Sequence, residues 1–236
     1  MSNPNIVLAT TTLYDSMENP RLPLALKTIA AAKACGYPFV VGDDSPKEVW
    51  EAIRRAGPNA LHQAQKGMGP SRRHALRLAL VLGGSDCIIV WLEPEKHTFV
   101  PLIDEVCAPF EEDPDLDLII PRRRSLESYP PMQQLTEELG REGFRLATGC
   151  AFDSWFGPQA FRARVASYYL NYAGPPDLWD SIHVPAAQII KAGHKAKEVV
   201  VDYQHPPEQL EEDTFPDYQK RIRQLATLSD ALANNL

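Results

Sequence analysis

The stretch IIVWLEPEKHTFVPLIDEV, residues 88–106, decides how the chain is read. Its apolar run, Ile88 to Leu92, stops at two carboxylates one residue apart, Glu93 and Glu95, with Lys96 next. A continuous apolar run of this length reads as a strand buried on both faces, the pattern of a parallel sheet. The acids at its end have two readings. They hold a cation through hard oxygen ligands, or they favour the macrodipole of the helix that follows.

The same pattern recurs on either side. NIVLAT (5–10), FVV within YPFVVGDDS (37–45), the weaker ALHQAQ (60–65), DCIIVWL (86–92) and LDLIIP (116–121) read as strands. Between them lie helical segments. RLPLALKTIAAAKACG ends on Gly36, a second helix ends near Gly57, and GMGPSRRHALRLALVL opens on a Gly-rich turn. HTFVPLIDEVCAPF reads as helical despite Pro101. Ser45-Pro46-Lys47-Glu48 matches a capping box, with Ser45 as N-cap and Glu48 reaching back. The class that follows is α/β, with a mostly parallel central sheet and helices on both faces.

In such sheets ligands sit beyond the carboxyl ends of the strands. Thr10 to Thr12, Asp43-Asp44, the turn from Lys66 to Arg73, and Glu93/Glu95 all follow successive strands, so they gather along one edge.

The second half is less regular. RRRSLESYPP reads as a basic loop, and PMQQLTEELGREG and PQAFRARVASYYLNY read as helices. PPDLWDSIHVPAAQIIKAG leads into a strand, KEVVVDYQ, and then His205. The tail FPDYQKRIRQLATLSDAL reads as a terminal helix with Ile222, Leu225, Leu228 and Leu232 on one face. It packs on the body or pairs two copies.

The totals exclude several classes. A 236-residue chain with a formal charge of −7 is no general binder of nucleic acid or anionic membrane. No apolar run reaches the roughly 20 residues of a membrane helix, and the start has no signal-peptide pattern. Cys35, Cys87, Cys107 and Cys150 form no CxxC pair and read as reduced core residues, which points to a cytoplasmic location.

Each candidate residue has a structural reading beside the chemical one. Asp43 or Asp44 accepts from a ribose or base, or shapes a turn. Lys66-Gly67-Met68-Gly69-Pro70-Ser71-Arg72-Arg73 offers glycines, a helix N-terminus and cations to a phosphate, or is an ordinary tight turn. Its spacing is neither a Walker loop nor a dinucleotide fingerprint. His205 at a strand end is a third metal ligand or a lone histidine. Asp177 and Asp180 cap a helix, or one of them faces an acceptor hydroxyl as base or clamp.

The order of these elements resembles the nucleotide-sugar glycosyltransferases of the A-type fold, in the broad family-two group and including mannosylglycerate-synthase-like enzymes. The likeness runs over about residues 5–207. It implies hexosyl transfer from a nucleotide-diphosphate sugar to a hydroxyl acceptor whose identity is open. Residues 1–122 would bind the donor, 123–208 the acceptor, and 209–236 would form the terminal helix. Thr10, Thr11, Asp43, Asp44, Lys66, Arg72 and Glu93 would contact the nucleotide sugar, and Asp180 would act on the acceptor. Glu93, Glu95 and His205 would hold Mn²⁺ or Mg²⁺, with Glu-x-Glu standing where the family has Asp-x-Asp. TGCAFDSWFGPQAFR is similar to the family's acceptor-side stretch, in which a Gly precedes a strand and then a helix. Lys96 stands close enough to compete for an acid or to bind phosphate itself. A silent nucleotide-sugar-binding or scaffold protein on the same fold is the rival reading. A sugar nucleotidyltransferase ranks lower, because TTTLYDSMENPR lacks the glycines of a triphosphate loop.

Overall fold

The structure, a computed structural model, describes residues 5–63, 65–206, 208 and 214–236. The expected start of the chain, Ala64 of the third strand, Pro207 and the boundary at 209 lie outside the described residues.

Seven strands form one sheet in the order β3-β2-β1-β4-β6-β5-β7. They are β1 (Ile6–Thr12), β2 (Phe39–Asp43), β3 (Ala60–Gln63), β4 (Ile88–Trp91), β5 (Leu116–Arg123), β6 (Gln159–Arg162) and β7 (Lys195–Val201). β6 runs antiparallel to both neighbours, and every other pairing is parallel. The α/β, mostly parallel reading therefore holds.

Alternation along the strands sends side chains to opposite faces. Ile88, Val90 and Leu92 join one core cluster, while Ile89 and Trp91 join the other. Helices α1 (Leu22–Cys35), α2 (Lys47–Ala56), α4 (Ile103–Cys107) and α5 (Pro109–Glu112) cover the first face. The second is covered by α3 (Met68–Gly83), α6 (Pro131–Thr148), α7 (Ala166–Asn171), α8 (Asp180–Lys191) and α9 (Phe215–Asn235). Burial on both sides explains why the strands read as unbroken apolar runs.

Four local expectations are corrected. Ser45 does not cap α2. Its hydroxyl donates to Asp43 Oδ1 at 2.6 Å and accepts from the Tyr14 amide at 2.8 Å, and the helix starts one residue past Pro46. The capping box lies instead at Thr214 and Asp217, where it opens α9. PQAFRARVASYYLNY is not one helix. Its first part is β6, filling the slot between β4 and β5, and α7 begins only at Ala166. HTFVPLIDEVCAPF breaks into a short 3-10 turn around Pro101 followed by α4 and α5. Of the cysteines, Cys87 and Cys107 are core residues, but Cys35 is exposed and Cys150 half-buried; all four are free thiols.

The terminal helix packs on α6 and α8 through Leu228, Ala231 and Leu232, while Ile222 is exposed. No helix among the described residues is long and apolar enough to cross a membrane.

Candidate active site

A cavity of about 440 Å³ opens at the carboxyl end of β4, within the usual size for a small-molecule site. Its wall is built from distant parts of the chain: Glu93, Glu95 and Lys96 after β4, Arg21 before α1, Arg123 at the end of β5, and Trp155 to Gly157 before β6. Trp179 and His183 come from the start of α8, and Asp217, Lys220, Arg221 and Gln224 from α9.

The two acids of the quoted stretch do different things. Glu95 is buried and spoken for: Tyr14 Oη donates to its Oε1 at 2.9 Å, and Arg21 Nη2 lies 3.2 Å from its Oε2. Burial and the adjacent Glu95 push the Tyr14 phenol far up, so it stays a neutral donor. Glu93 keeps a buried Oε2 with no hydrogen-bond partner, 3.9 Å from Lys96 Nζ. It presses on Gly157, where a Cβ would stand 1.7 Å from Glu93 Oε1 and where φ is +98°, so glycine is required twice over.

Lys96 has a side chain only 13% exposed and packs over Phe156 and Tyr203, 4.7 and 5.2 Å from the ring centroids. Beside it, Arg123 is buried between Glu137 and Asp153; its guanidinium donates to Asp153 at 2.9 and 2.8 Å, its amide donates to the same carboxylate at 3.1 Å, and it forms an ion pair with Glu137. Burial raises the Glu137 carboxyl, and the Arg123 charge opposes that rise. Arg123 is therefore neutralised by protein and forms a rigid floor, stacked on Tyr129 and Phe156.

A second cluster ties the helix α3 to the loop before α8. Arg73 forms a fork on Asp177 at 2.6 and 2.8 Å, and Gly69 leaves room for that carboxylate, which a Cβ would strike at 1.8 Å. Arg72 donates to the Leu178 carbonyl at 2.9 Å and to Ser181 Oγ at 3.0 Å, lying over Trp91. Burial draws its pKa down to about 10. His183 is drawn down to about 4, first by burial and then by Arg72, so it is neutral at pH 7.

The structure sorts the expected residues into three groups. Glu93, Glu95 and His205 all line the cavity. Thr10, Thr11, Asp43, Asp44, Lys66 and Arg72 do not line it. Thr10 Oγ1 donates to the Leu92 carbonyl at 2.8 Å, and Asp43 is fully buried, accepting from Thr12 at 2.7 Å and from Ser45. Burial raises Asp43 while its hydroxyl donors oppose the rise. Thr11 is half-buried, and Asp44 and Lys66 are exposed at the ends of the neighbouring strands. Asp180 is corrected as an acceptor-facing group. It is fully buried, accepts from Tyr172 Oη at 2.5 Å and from the amides of Asp177 and Leu178 at 3.0 and 2.6 Å, and so shapes the loop.

The metal set fits poorly. Both Glu95 oxygens are engaged, an ammonium faces Glu93, and His205 stacks on Tyr129 at 4.3 Å. Among the described residues no three of His, Cys, Asp and Glu are grouped to hold an ion. Trp155, Trp179, His183, Arg123 and the α9 residues were not legible as site residues, because only the tertiary fold brings them together. The one available signal was the charged face of FPDYQKRIRQ.

No family model matches the chain, and no curated protein is significantly similar to it in sequence. Solved structures are similar. A mycobacterial protein superposes with TM-score 0.68 at 14% identity, covering 98% of this chain and 76% of that one. Glucosyl-3-phosphoglycerate synthase from Mycobacterium tuberculosis, in complex with Mn²⁺, UDP-glucose and glycerol 3-phosphate, gives 0.65 at 13% identity, covering 98% and 81%. The same enzyme with Mn²⁺, UDP and glucosyl-3-phosphoglycerate gives 0.65 at 14%, with the same coverage. The chain thus has the A-type glycosyltransferase fold.

Proposed function

We propose that the protein is a glycosyltransferase that moves a sugar from a nucleotide-diphosphate donor to a hydroxyl acceptor. The observation that carries this is the cavity after β4, on a fold it shares with a synthase crystallised with UDP-glucose. The nucleoside would lie over the ends of β1 and β2, toward Asp44 and Lys66, with the diphosphate and sugar entering the cavity beside Glu93 and Lys96. Trp155, Trp179 and His183 would form the acceptor wall, with α9 closing it. In the reaction the bond from the anomeric carbon to the β-phosphate oxygen breaks. The acceptor oxygen bonds to that carbon and releases its proton to the medium, and the nucleoside diphosphate leaves with the electron pair.

Neutral His183 and the donors around the cavity position polar hydroxyls, and the aromatic walls exclude water from the reacting carbon. The neighbouring synthase is in complex with Mn²⁺, and a bound divalent ion can neutralise charge on a leaving diphosphate. Here the described residues do not group around an ion.

A nucleotide-sugar-binding protein without transfer is the second reading, favoured by the engagement of Glu95 and Asp180 in the fold. Incubation with UDP-, GDP-, ADP- and CDP-sugars and a panel of small hydroxyl acceptors separates the two. Release of one nucleoside diphosphate with a new glycoside is expected. Tight donor binding with neither transfer nor hydrolysis would support the silent binder.

A further inference from the structure

The strand-end acids stand where a metal pair is expected, yet the cavity presents a protein cation at that point. Lys96 Nζ is 3.9 Å from Glu93 Oε2 and lies over the rings of Phe156 and Tyr203. Its ammonium makes no hydrogen bond to a side chain or carbonyl of the described residues, and its side chain lines the cavity. A nearly buried ammonium with three donors and one distant carboxylate is under-satisfied by the described residues, a condition that an anionic ligand relieves. Its neighbours hold it in place: Gly157 lets Glu93 approach, and Arg123 beneath is already neutralised by Glu137 and Asp153. Arg123 therefore does not compete for a ligand. Arg21 is another cation on this wall; Glu95 anchors its guanidinium at 3.2 Å, and its side chain is 61% exposed, which leaves its other donors open to a phosphate.

We infer that Lys96, with Arg21, supplies the positive charge that holds the donor's diphosphate, and that donor binding needs no divalent ion. The inference rests on the glycosyltransferase reading and adds to it the means of charge neutralisation. Glu93 then acts as the resident counter-ion of Lys96, which the diphosphate displaces, and Glu95 as the anchor of Arg21.

The test is calorimetric titration of the full chain with UDP, GDP, ADP and CDP, once in excess EDTA and once in excess Mn²⁺. One nucleotide is expected to bind with affinities within about threefold of each other in the two buffers. Lys96→Met, which keeps the apolar stem, is expected to weaken that binding in EDTA by at least about tenfold, with an unchanged melting temperature. Glu93→Gln, which removes the competing charge, is expected to tighten binding in EDTA. Binding in wild type that requires Mn²⁺ would overturn the inference and leave the glycosyltransferase reading standing. Binding in EDTA that Lys96→Met leaves unchanged, or that Glu93→Gln weakens, would also overturn it. Absence of binding by every nucleotide in both buffers would overturn the glycosyltransferase reading and the inference together. The wild-type comparison decides the metal question even if a variant fails to fold.

Discussion

His183 shows how much of the site's chemistry is set by burial. Its ring sits in the cavity wall beside Arg72, and both burial and that cation favour the neutral imidazole. The folded pKa, about 4, lies below the ordinary 6.5, so between these values the unfolded chain binds the extra proton. Stability from this group is therefore full above pH 6.5 and is lost as pH falls toward 4. Urea unfolding at pH 7 and pH 5 should show the protein less stable at pH 5, by about 2 kcal/mol from this residue. His183→Gln should flatten that part of the dependence; an unchanged slope would contradict the assignment. Single residues were also where the sequence was least legible. Glu93 and Glu95 read as a pair because their spacing is all that a sequence offers. The structure separates them, since Tyr14 and Arg21, some 80 positions away, claim one and leave the other to Lys96. Asp180 was ambiguous between cap and base, and it does not cap α8: its carboxylate accepts from Tyr172 and from the amides of Asp177 and Leu178, so it fixes the loop before the helix.

At the scale of elements, α9 is both a packing element and a wall of the site. Leu228, Ala231 and Leu232 bury one face against α6 and α8, and Lys220, Arg221 and Gln224 project to the cavity from the turns before them. Leu228→Ala removes a side chain that is 4% exposed and should lower stability by about 2–5 kcal/mol, read from the denaturant midpoint. The same variant should weaken acceptor use more than nucleotide binding, because α9 is proposed to close the acceptor wall. Equal loss of both would contradict that placement. The apolar spacing of this helix was legible, although Ile222 proves exposed where three other positions pack. The strand–helix alternation of the first half was legible for the same reason: buried parallel strands leave unbroken apolar runs. β6 was not, because a four-residue antiparallel strand ending on Arg162 carries too short a pattern to outvote a helical one. Arg162 caps the carbonyls of Leu116 and Phe110, contacts that no local rule anticipates.

For the whole molecule, the order β3-β2-β1-β4-β6-β5-β7 decides where chemistry can occur. The inserted antiparallel β6 brings Trp155 to Gly157 up against the end of β4, and β7 delivers Tyr203 and His205 to the same place. The proposed donor and acceptor walls therefore share one cavity, although its lining residues are spread from Pro20 to Leu228. The gathering of strand-end residues along one edge was legible in the sequence, whereas the enclosure of that edge by α8 and α9 was not. The most direct measurement is a crystal structure of the protein soaked with the nucleotide diphosphate that binds most tightly. The diphosphate should lie in the cavity within hydrogen-bonding reach of Lys96, with the nucleoside over the ends of β1 and β2. A nucleotide bound elsewhere on the molecule, with the cavity left empty, would contradict the account.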